Sequence, residues 1–530
     1  MHNVARFFET MQNSRVAFIG TGVTNGDIIR LFRKKGIDVT LLDRKNPEQL
    51  GKVYTEFESL GVKFCLGDSY LDSLTDYDVV FRSPGMYYHN EKLQEARKKG
   101  VVITSEMEVF FSLCPCKIYA VTGSDGKTTT TTLISEFLSH AGFRVHKGGN
   151  IGRALLPIIE EIREDDVAVV ELSSFQLLSM RQSPDVAVIT NIAPNHLDVH
   201  GTMEEYIYAK TNLIAHQDAF SRTILNLDNE PTMHLASMVR GTLTTFSRRT
   251  KPEFGTYLRE DGMLCFTKDG KDTPVVHMND IRIPGMHNVE NYLAAINAVW
   301  GTVSVEDIQY VAKNFGGVEH RIEFVRELDG VKWYNDSIAT SPTRVLAGLR
   351  SFQQKLIVIM GGYDKKIPFE PMADTVCKQV KLVLLMGVTA DKIEAAIRGS
   401  QFYQEGAPEL VHVGSMEEAV QEARKRAKTG DIVTLSPACA SFDLYPNFEA
   451  RGIHYKNLVK ELRTAHKMTQ QQLAELVHVS SRTIISLEKG QYNPSLLLAY
   501  RIAKVFGTSV EELYCLEENL ELDEKQYREL

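Results

Sequence analysis

Residues 117–133 read KIYAVTGSDGKTTTTTL: an apolar run, a loop with two glycines, and a threonine-rich stretch of helical character. That order places Thr122, Gly123, Ser124, Asp125, Gly126, Lys127, Thr128 and Thr129 at a strand-to-helix junction. Glycines let successive backbone N–H groups converge on phosphate oxygens, Lys127 adds a point charge, and the Thr128 hydroxyl suits Mg²⁺. Strict Walker spacing would put glycine at 121, where Val121 stands, so the loop is a variant. It predicts a phosphate-binding α/β domain.

Towards the N-terminus, VAFIG (16–20), a glycine-rich turn, a helical pattern through Lys35 and VTLLD ending at Asp43 form a β-α-β unit. The third glycine of the turn, Gly26, falls one residue late for a dinucleotide fingerprint. The turn is then either a phosphate site or simply a tight connection. DVVFRSPG (78–85) and VVITSEME (101–108) continue the alternation, and the first domain is expected to close near 112.

Towards the C-terminus, residues 241–283 have the pattern of β-hairpins inserted into an α/β domain. VKWYNDS (331–337), KLIVIMGG (355–362), VKLVLLMG (380–387) and DIVTLSPA (431–438) then read as another doubly wound domain. After about Lys456 only short helices are expected. The predicted boundaries are 1–112, 113–317, 318–455 and 456–514, with an acidic tail at 515–530 holding six acids against two bases.

At 530 residues, 43% hydrophobic and 24% charged, the chain has the composition of a multidomain globular protein, which excludes a fibre or a disordered chain. A net charge of −8 argues against coating nucleic acid along the whole length and confines any polyanion contact to a local patch. The seven cysteines lack paired zinc-ligand spacing, with Cys114-Pro115-Cys116 the sole close pair. No stretch reaches the roughly 18 apolar residues of a membrane span. A cytoplasmic location and no membrane partner are expected.

Phosphate-bound Mg²⁺ needs hard oxygen ligands, and Glu171 closes the apolar run VAVVE, where a parallel sheet presents its ligand edge. The residue alone leaves open a helix-capping role. His196, in NIAPNHLDVH (191–200), is a further metal candidate that spacing does not separate from a surface histidine.

Together with GGNIG (148–152), ELSSFQL (171–177), YIYAK (206–210), PGMHNVEN (284–291), EHRIE (319–323), NDSIATSP (335–342), GGYDKK (361–366) and SPACASFDLYPNFEARG (436–452), these motifs resemble the Mur ligases, in the same order. The resemblance covers about residues 14–456. It implies a Rossmann-like N-terminal domain for a UDP-sugar, a central P-loop ATPase domain and a Rossmann-like C-terminal domain that closes over the site. NIAPNHLDVH and the last motif most resemble members that join D-glutamate to UDP-N-acetylmuramoyl-L-alanine. The implied chemistry is ATP-dependent: the substrate carboxylate is phosphorylated, and the amine of D-glutamate displaces phosphate.

Carried over by position, the resemblance implies that Lys127 grips the ATP phosphates and that Thr128 and Glu171 bind one Mg²⁺. His196 and Lys210 would serve a second, Lys210 as a carbamate. Asn288, Asn291, Arg321 and Asp336 match ATP contacts, and Asn150 matches a substrate contact. Thr340, Lys365, Ser441 and Phe448 match the D-glutamate site, and Thr24, Asn25, Asp43 and Arg44 the UDP end. Ile338 departs from the lysine of some relatives, with Lys366 a nearby cation, and Asp125 replaces a more usual asparagine.

Residues 456–514 resemble the lambda-repressor-like helix-turn-helix family. Thr469 and Ser480 are expected N-caps, and Leu473, Ala474, Val479, Ile484 and Leu487 are expected to pack the helices together. The segment carries eight Lys/Arg against five Asp/Glu, a local excess that suits phosphate contact. If DNA is the partner, Ser481, Arg482 and Thr483 would face the major groove, with Gln470 and Gln472 near backbone or bases. The alternative is an appendage that packs or dimerises without DNA, the ligase part itself being monomeric.

Two other functional readings compete with the ligase: a transcriptional regulator using a ligase-like body as a sensor, and a related ligase adding another amino acid or extending folate with glutamate. The set Lys127, Glu171, His196 and Lys210 favours an enzyme.

Overall fold

The computed structural model describes residues 4–194, 197–365, 367–445, 447–460, 470–480, 483 and 495–506. His196, Lys366, Thr469, Ser481, Arg482, Ile484, Leu487 and the acidic tail lie outside them. The chain divides into two compact units, Met1–Val318 and Glu319–Leu530. Among the described residues the strands form sheets of five, nine and six strands.

In the first unit, β1 (Val16–Ile19), β2 (Val39–Asp43), β3 (Lys63–Leu66), β4 (Val79–Arg82) and β5 (Val102–Thr104) lie in the order β3-β2-β1-β4-β5, all parallel. β1 and β4 are buried at every position, as expected of short apolar strands covered on both faces. Phe18 and Phe81 stack at 4.7 Å, and Phe32 meets both edge-on.

The second sheet of this unit contains β6 (Lys117–Thr122), β7 (Val145–Gly149), β8 (Val167–Glu171), β9 (Val186–Ile189), β10 (Arg222–Asn226), β11 (Thr242–Ser247), β12 (Phe254–Leu258), β13 (Met263–Lys268) and β14 (Lys271–His277). Its order is β14-β13-β12-β11-β10-β9-β6-β8-β7. The 241–283 stretch holds the expected hairpins, β12–β13 and β13–β14, and they extend the edge of this sheet. β11 pairs parallel with β10, and β12 to β14 continue the same sheet, antiparallel from β12 onward.

One apolar core runs through both halves of the unit, from Phe18 and Phe81 to Leu155, Val170 and Ile189. Polar ties reinforce it. Glu106 Oε1 accepts the N–H groups of Leu155 and Leu156 at 2.8 and 2.9 Å, and buried Arg82 donates to the Phe175 carbonyl and Ser179 Oγ at 3.2 and 3.1 Å.

The second unit holds β15 (Glu323–Leu328), β16 (Val331–Asn335), β17 (Leu356–Gly361), β18 (Val380–Met386), β19 (Glu409–His412) and β20 (Ile432–Leu435) in the order β15-β16-β20-β17-β18-β19. All neighbours are parallel except the β15–β16 hairpin. Beyond it, helices Gln470–Leu476 and Leu496–Phe506 bury Leu473, Ala474 and Val477 against Leu498 and Ile502, with Val479 packed alongside. Ser480 Oγ accepts the Thr483 N–H at 3.2 Å, while the helix it is expected to cap lies outside the described residues. No helix among the described residues is long and apolar enough to cross a membrane.

Candidate functional site

The carboxyl ends of β6, β7, β8 and β9 are neighbours, and the loops that leave them carry the phosphate loop, Asn150, Glu171 and Asn191. Gly123 packs so closely on the β9 loop that a Cβ would overlap Thr190 Oγ1. Gly126, at φ +80°, leaves no room for one beside Asn291 Oδ1. Gly126 is also the N-cap of helix Lys127–His140 and supplies no side-chain cap, and a helix N-terminus of this kind suits an anion.

Ser124 and Asp125 are fixed by the β9 loop. Ser124 N–H donates to the Asn191 carbonyl at 2.9 Å, Asp125 N–H to Asn191 Oδ1 at 3.0 Å, and Thr190 Oγ1 to the Asp125 carbonyl at 2.6 Å. Lys127 Nζ donates to the carbonyls of Gly123 and Ser124 at 3.0 and 2.9 Å. Thr128 is half-buried and Thr129 buried.

Glu171 is 1% exposed. Asn150 holds it twice, its N–H donating to the Glu171 carbonyl and its Nδ2 to Oε1, both at 2.8 Å. Oε2 has no hydrogen-bond partner among the described residues. A buried carboxylate oxygen without a donor is unfavourable alone and is what a hard cation would satisfy, so the residues fit Mg²⁺.

Lys210 is likewise 1% exposed, and its Nζ donates to the Gly123 carbonyl at 2.7 Å and Thr122 Oγ1 at 3.3 Å. Burial, then the charge of Lys127, holds its pKa well below the usual lysine range, with Glu171 and Asp125 opposing. Tyr206, one turn earlier on helix Met203–Thr211, places its hydroxyl 3.0 Å from Ser124 Oγ. His200 stacks on Phe175 and meets Tyr206 edge-on. Tyr206 and His200 were not picked out by sequence reasoning; the four-residue spacing to Lys210 was the available signal for Tyr206.

Helix Met286–Val299 brings Asn291 to the phosphate loop, where its Oδ1 accepts from Thr130 Oγ1 at 3.3 Å and its Nδ2 donates to Asn288 Oδ1 at 3.1 Å. Asn288 in turn donates to the Pro284 carbonyl at 2.6 Å.

In the five-stranded sheet Thr24 and Asn25 follow β1, and Asp43 and Arg44 close and follow β2. Asn25 is buried, its Nδ2 donating to the carbonyls of Ile19 and Gly20, so that amide braces the turn. Arg44 is exposed beside Asp68 at 3.4 Å. Ser83, after β4 and across the reversal in strand order, faces Gly20.

In the second unit Asp336 follows β16 and is 4% exposed, accepting from Ser436 Oγ at 2.9 Å and Ile322 N–H at 3.3 Å. Burial pushes its carboxyl up to about 7 against the pull of Ser436 and Arg321. Lys365 Nζ donates to the Thr340 carbonyl at 3.2 Å, and Ser337 Oγ to the Phe448 carbonyl at 2.7 Å. Ser441 is buried in the same loop system. Sequence reasoning missed Arg451, 2% exposed, which donates to Ser337 Oγ and to the carbonyls of Ser337, Cys439 and Ala440 at 2.9–3.1 Å. Of the residues expected at DNA, Gln470 opens helix Gln470–Leu476, Gln472 is exposed on it, and Thr483 is half-buried.

The chain matches the MurD-like Mur ligase N-terminal domain over residues 14–105, the Mur ligase middle domain over 121–299, the Mur ligase glutamate ligase domain over 320–439, and a helix-turn-helix family over 459–513. It is 47% identical over 460 residues to the UDP-N-acetylmuramoylalanine–D-glutamate ligase of Clostridium botulinum (strain 657 / Type Ba4), covering 87% of this chain and 99% of that one. It is 47% identical over 459 residues to the enzyme of the same name from Acetivibrio thermocellus, covering 86% and 98%. Its fold is shared with the UDP-N-acetylmuramate–alanine ligase of Thermotoga maritima, with TM-score 0.52, 18% identity, and coverage of 85% and 100%. A chain whose phosphate loop, sheet order and length-wide identity agree in this way belongs to the Mur ligase family, with a helix-turn-helix domain appended.

Proposed function

We propose that this chain joins D-glutamate to UDP-N-acetylmuramoyl-L-alanine at the expense of ATP, in peptidoglycan synthesis. The observation that carries the reading is the meeting of Lys127 and Lys210 on one phosphate loop, with Glu171 near enough to act on Lys210, in a chain so similar to D-glutamate ligases. The alanyl carboxylate oxygen attacks the γ-phosphorus, the bond to ADP breaks, and an acyl phosphate results. The amine of D-glutamate then attacks the acyl carbon, loses its proton, and expels inorganic phosphate. Both steps concentrate negative charge, which Lys127 and the N-terminal end of helix Lys127–His140 offset.

Thr128 and Glu171 would hold one Mg²⁺, and His196 with a carbamylated Lys210 a second. Bound metal would screen the phosphate charge and orient the phosphoryl group. The low pKa of Lys210 supports the carbamate, because only a neutral amine can add carbon dioxide. In this reading Asn150 contacts the UDP-linked substrate, Asn288, Asn291, Arg321 and Asp336 serve ATP, and Thr340, Lys365, Ser441 and the Phe448 backbone serve D-glutamate. Thr24, Asn25, Asp43 and Arg44 form the UDP end.

An amino-acid panel in a phosphate-release assay tests the reading. Release that needs both D-glutamate and the UDP-linked substrate supports it, whereas preference for another amino acid or a folate acceptor opposes it. The appended helices are assigned to DNA contact, tested by titrating labelled genomic fragments at stated salt.

A further inference from the structure

The loop after β16 gathers more positive charge than the ligand assignments above account for. Arg344 lies in the first turn of helix Pro342–Leu349 and is exposed, and its Nη1 folds back to donate to the Ile338 carbonyl at 3.1 Å. Two residues along the same loop, the Thr340 carbonyl accepts from Lys365 Nζ. Arg344 is close enough to Arg321 and Lys365 for their charges to act on one another: Arg321 helps draw the Arg344 pKa down, and Arg344 that of Lys365, in each case after burial.

Among the described residues none of these three cations forms an ion pair with a carboxylate. The nearby Asp336 is buried and bonded to Ser436 and the Ile322 N–H. Asp336 acts on Arg321 and Arg344 without forming an ion pair, so three cations stand against one carboxyl, and that excess of positive charge suits an anion from outside. With Nη1 bound to Ile338, the Nε–Nη2 edge of Arg344 carries no hydrogen bond among the described residues. That edge is the planar fork that matches a carboxylate.

We propose that Arg344 is a specificity-determining residue of the ligase reaction, binding a carboxylate of the incoming D-glutamate beside Lys365 and supplying the cation that the loop lacks at Ile338. The proposal rests on the function proposed above and adds a residue to its amino-acid site.

The test measures KM for each substrate in the full chain for wild type, Arg344→Ala, Arg344→Lys and the double variant Arg344→Ala/Ile338→Lys. Arg344→Ala is expected to raise KM for D-glutamate about 20-fold, with KM for ATP and the UDP-linked substrate changing less than about threefold. Arg344→Lys should recover part of the loss, and the added lysine of the double variant at least about fivefold of it. If Arg344→Ala does not fold, Arg344→Gln, which keeps a donor for the Ile338 carbonyl, takes its place. A D-glutamate KM within twofold of wild type, or an equal rise in KM for ATP, overturns the proposal while leaving the ligase reading intact. A wild-type chain with no D-glutamate-dependent turnover overturns both.

Discussion

Lys210 Nζ donates to the carbonyl oxygen of Gly123 at 2.7 Å, so the helix that supplies the amine is tied to the first glycine of the phosphate loop. With Tyr206 bonded to Ser124 from the same helix face, helix and loop form one polar assembly. Lys210→Ala is expected to lower kcat/KM about 10²–10³-fold, the scale of a lost electrostatic group in a closed site. If a carbamate is what acts, added formate should restore part of the rate in Lys210→Ala but none in Lys210→Arg, as read by steady-state kinetics.

Glu171 presents one carboxylate oxygen to Asn150 and keeps the other free of donors. Glu171→Gln keeps the shape and removes the charge. The Mg²⁺ concentration for half-maximal rate should rise about tenfold or more, with the thermal midpoint unchanged within about 2 °C. Asn150→Ala, which frees the carboxylate to rotate, should give a smaller rise, about two- to fivefold.

Arg451 joins the loops after β16 and β20 through four hydrogen bonds, three of them to carbonyls. Burial lowers its pKa to about 10, which leaves it charged at neutral pH. Arg451→Ala would strand those buried acceptors and should cost about 3 kcal/mol or more in denaturant unfolding of the second unit.

Backbone-driven features were the legible ones. Gly123 and Gly126 announce the phosphate loop because only glycine fits their packing, and β1, β6, β8 and β17 announce themselves as apolar runs between helices. Arg82 and Arg451 were illegible because their partners are mostly main-chain carbonyls far away in sequence, which no residue pattern encodes. The hairpins of 241–283 were legible as strands, but alternation does not say which sheet edge they extend.

Glu106 gives a pH dependence with a definite sign. Burial pushes its carboxyl up to about 7, against the N–H groups of Leu155 and Leu156, with Asp27 adding to the rise. A raised pKa means that the folded chain holds the proton more tightly than the unfolded one. The contribution to stability is therefore full below the ordinary carboxyl range, roughly pH 4.3, and is lost as pH rises through about 7. Glu106→Gln should flatten the decline in thermal midpoint between pH 5 and pH 8 by at least about 2 °C relative to wild type.

The central claim is that the substrate carboxylate is phosphorylated before the amide forms. UDP-N-acetylmuramoyl-L-alanine labelled with ¹⁸O in its alanyl carboxylate, turned over with ATP and D-glutamate, tests it directly. The account requires one carboxylate oxygen to leave with each phosphate, so phosphate from fully labelled substrate should carry one ¹⁸O per molecule of amide formed. Amide formation that releases unlabelled phosphate would contradict it.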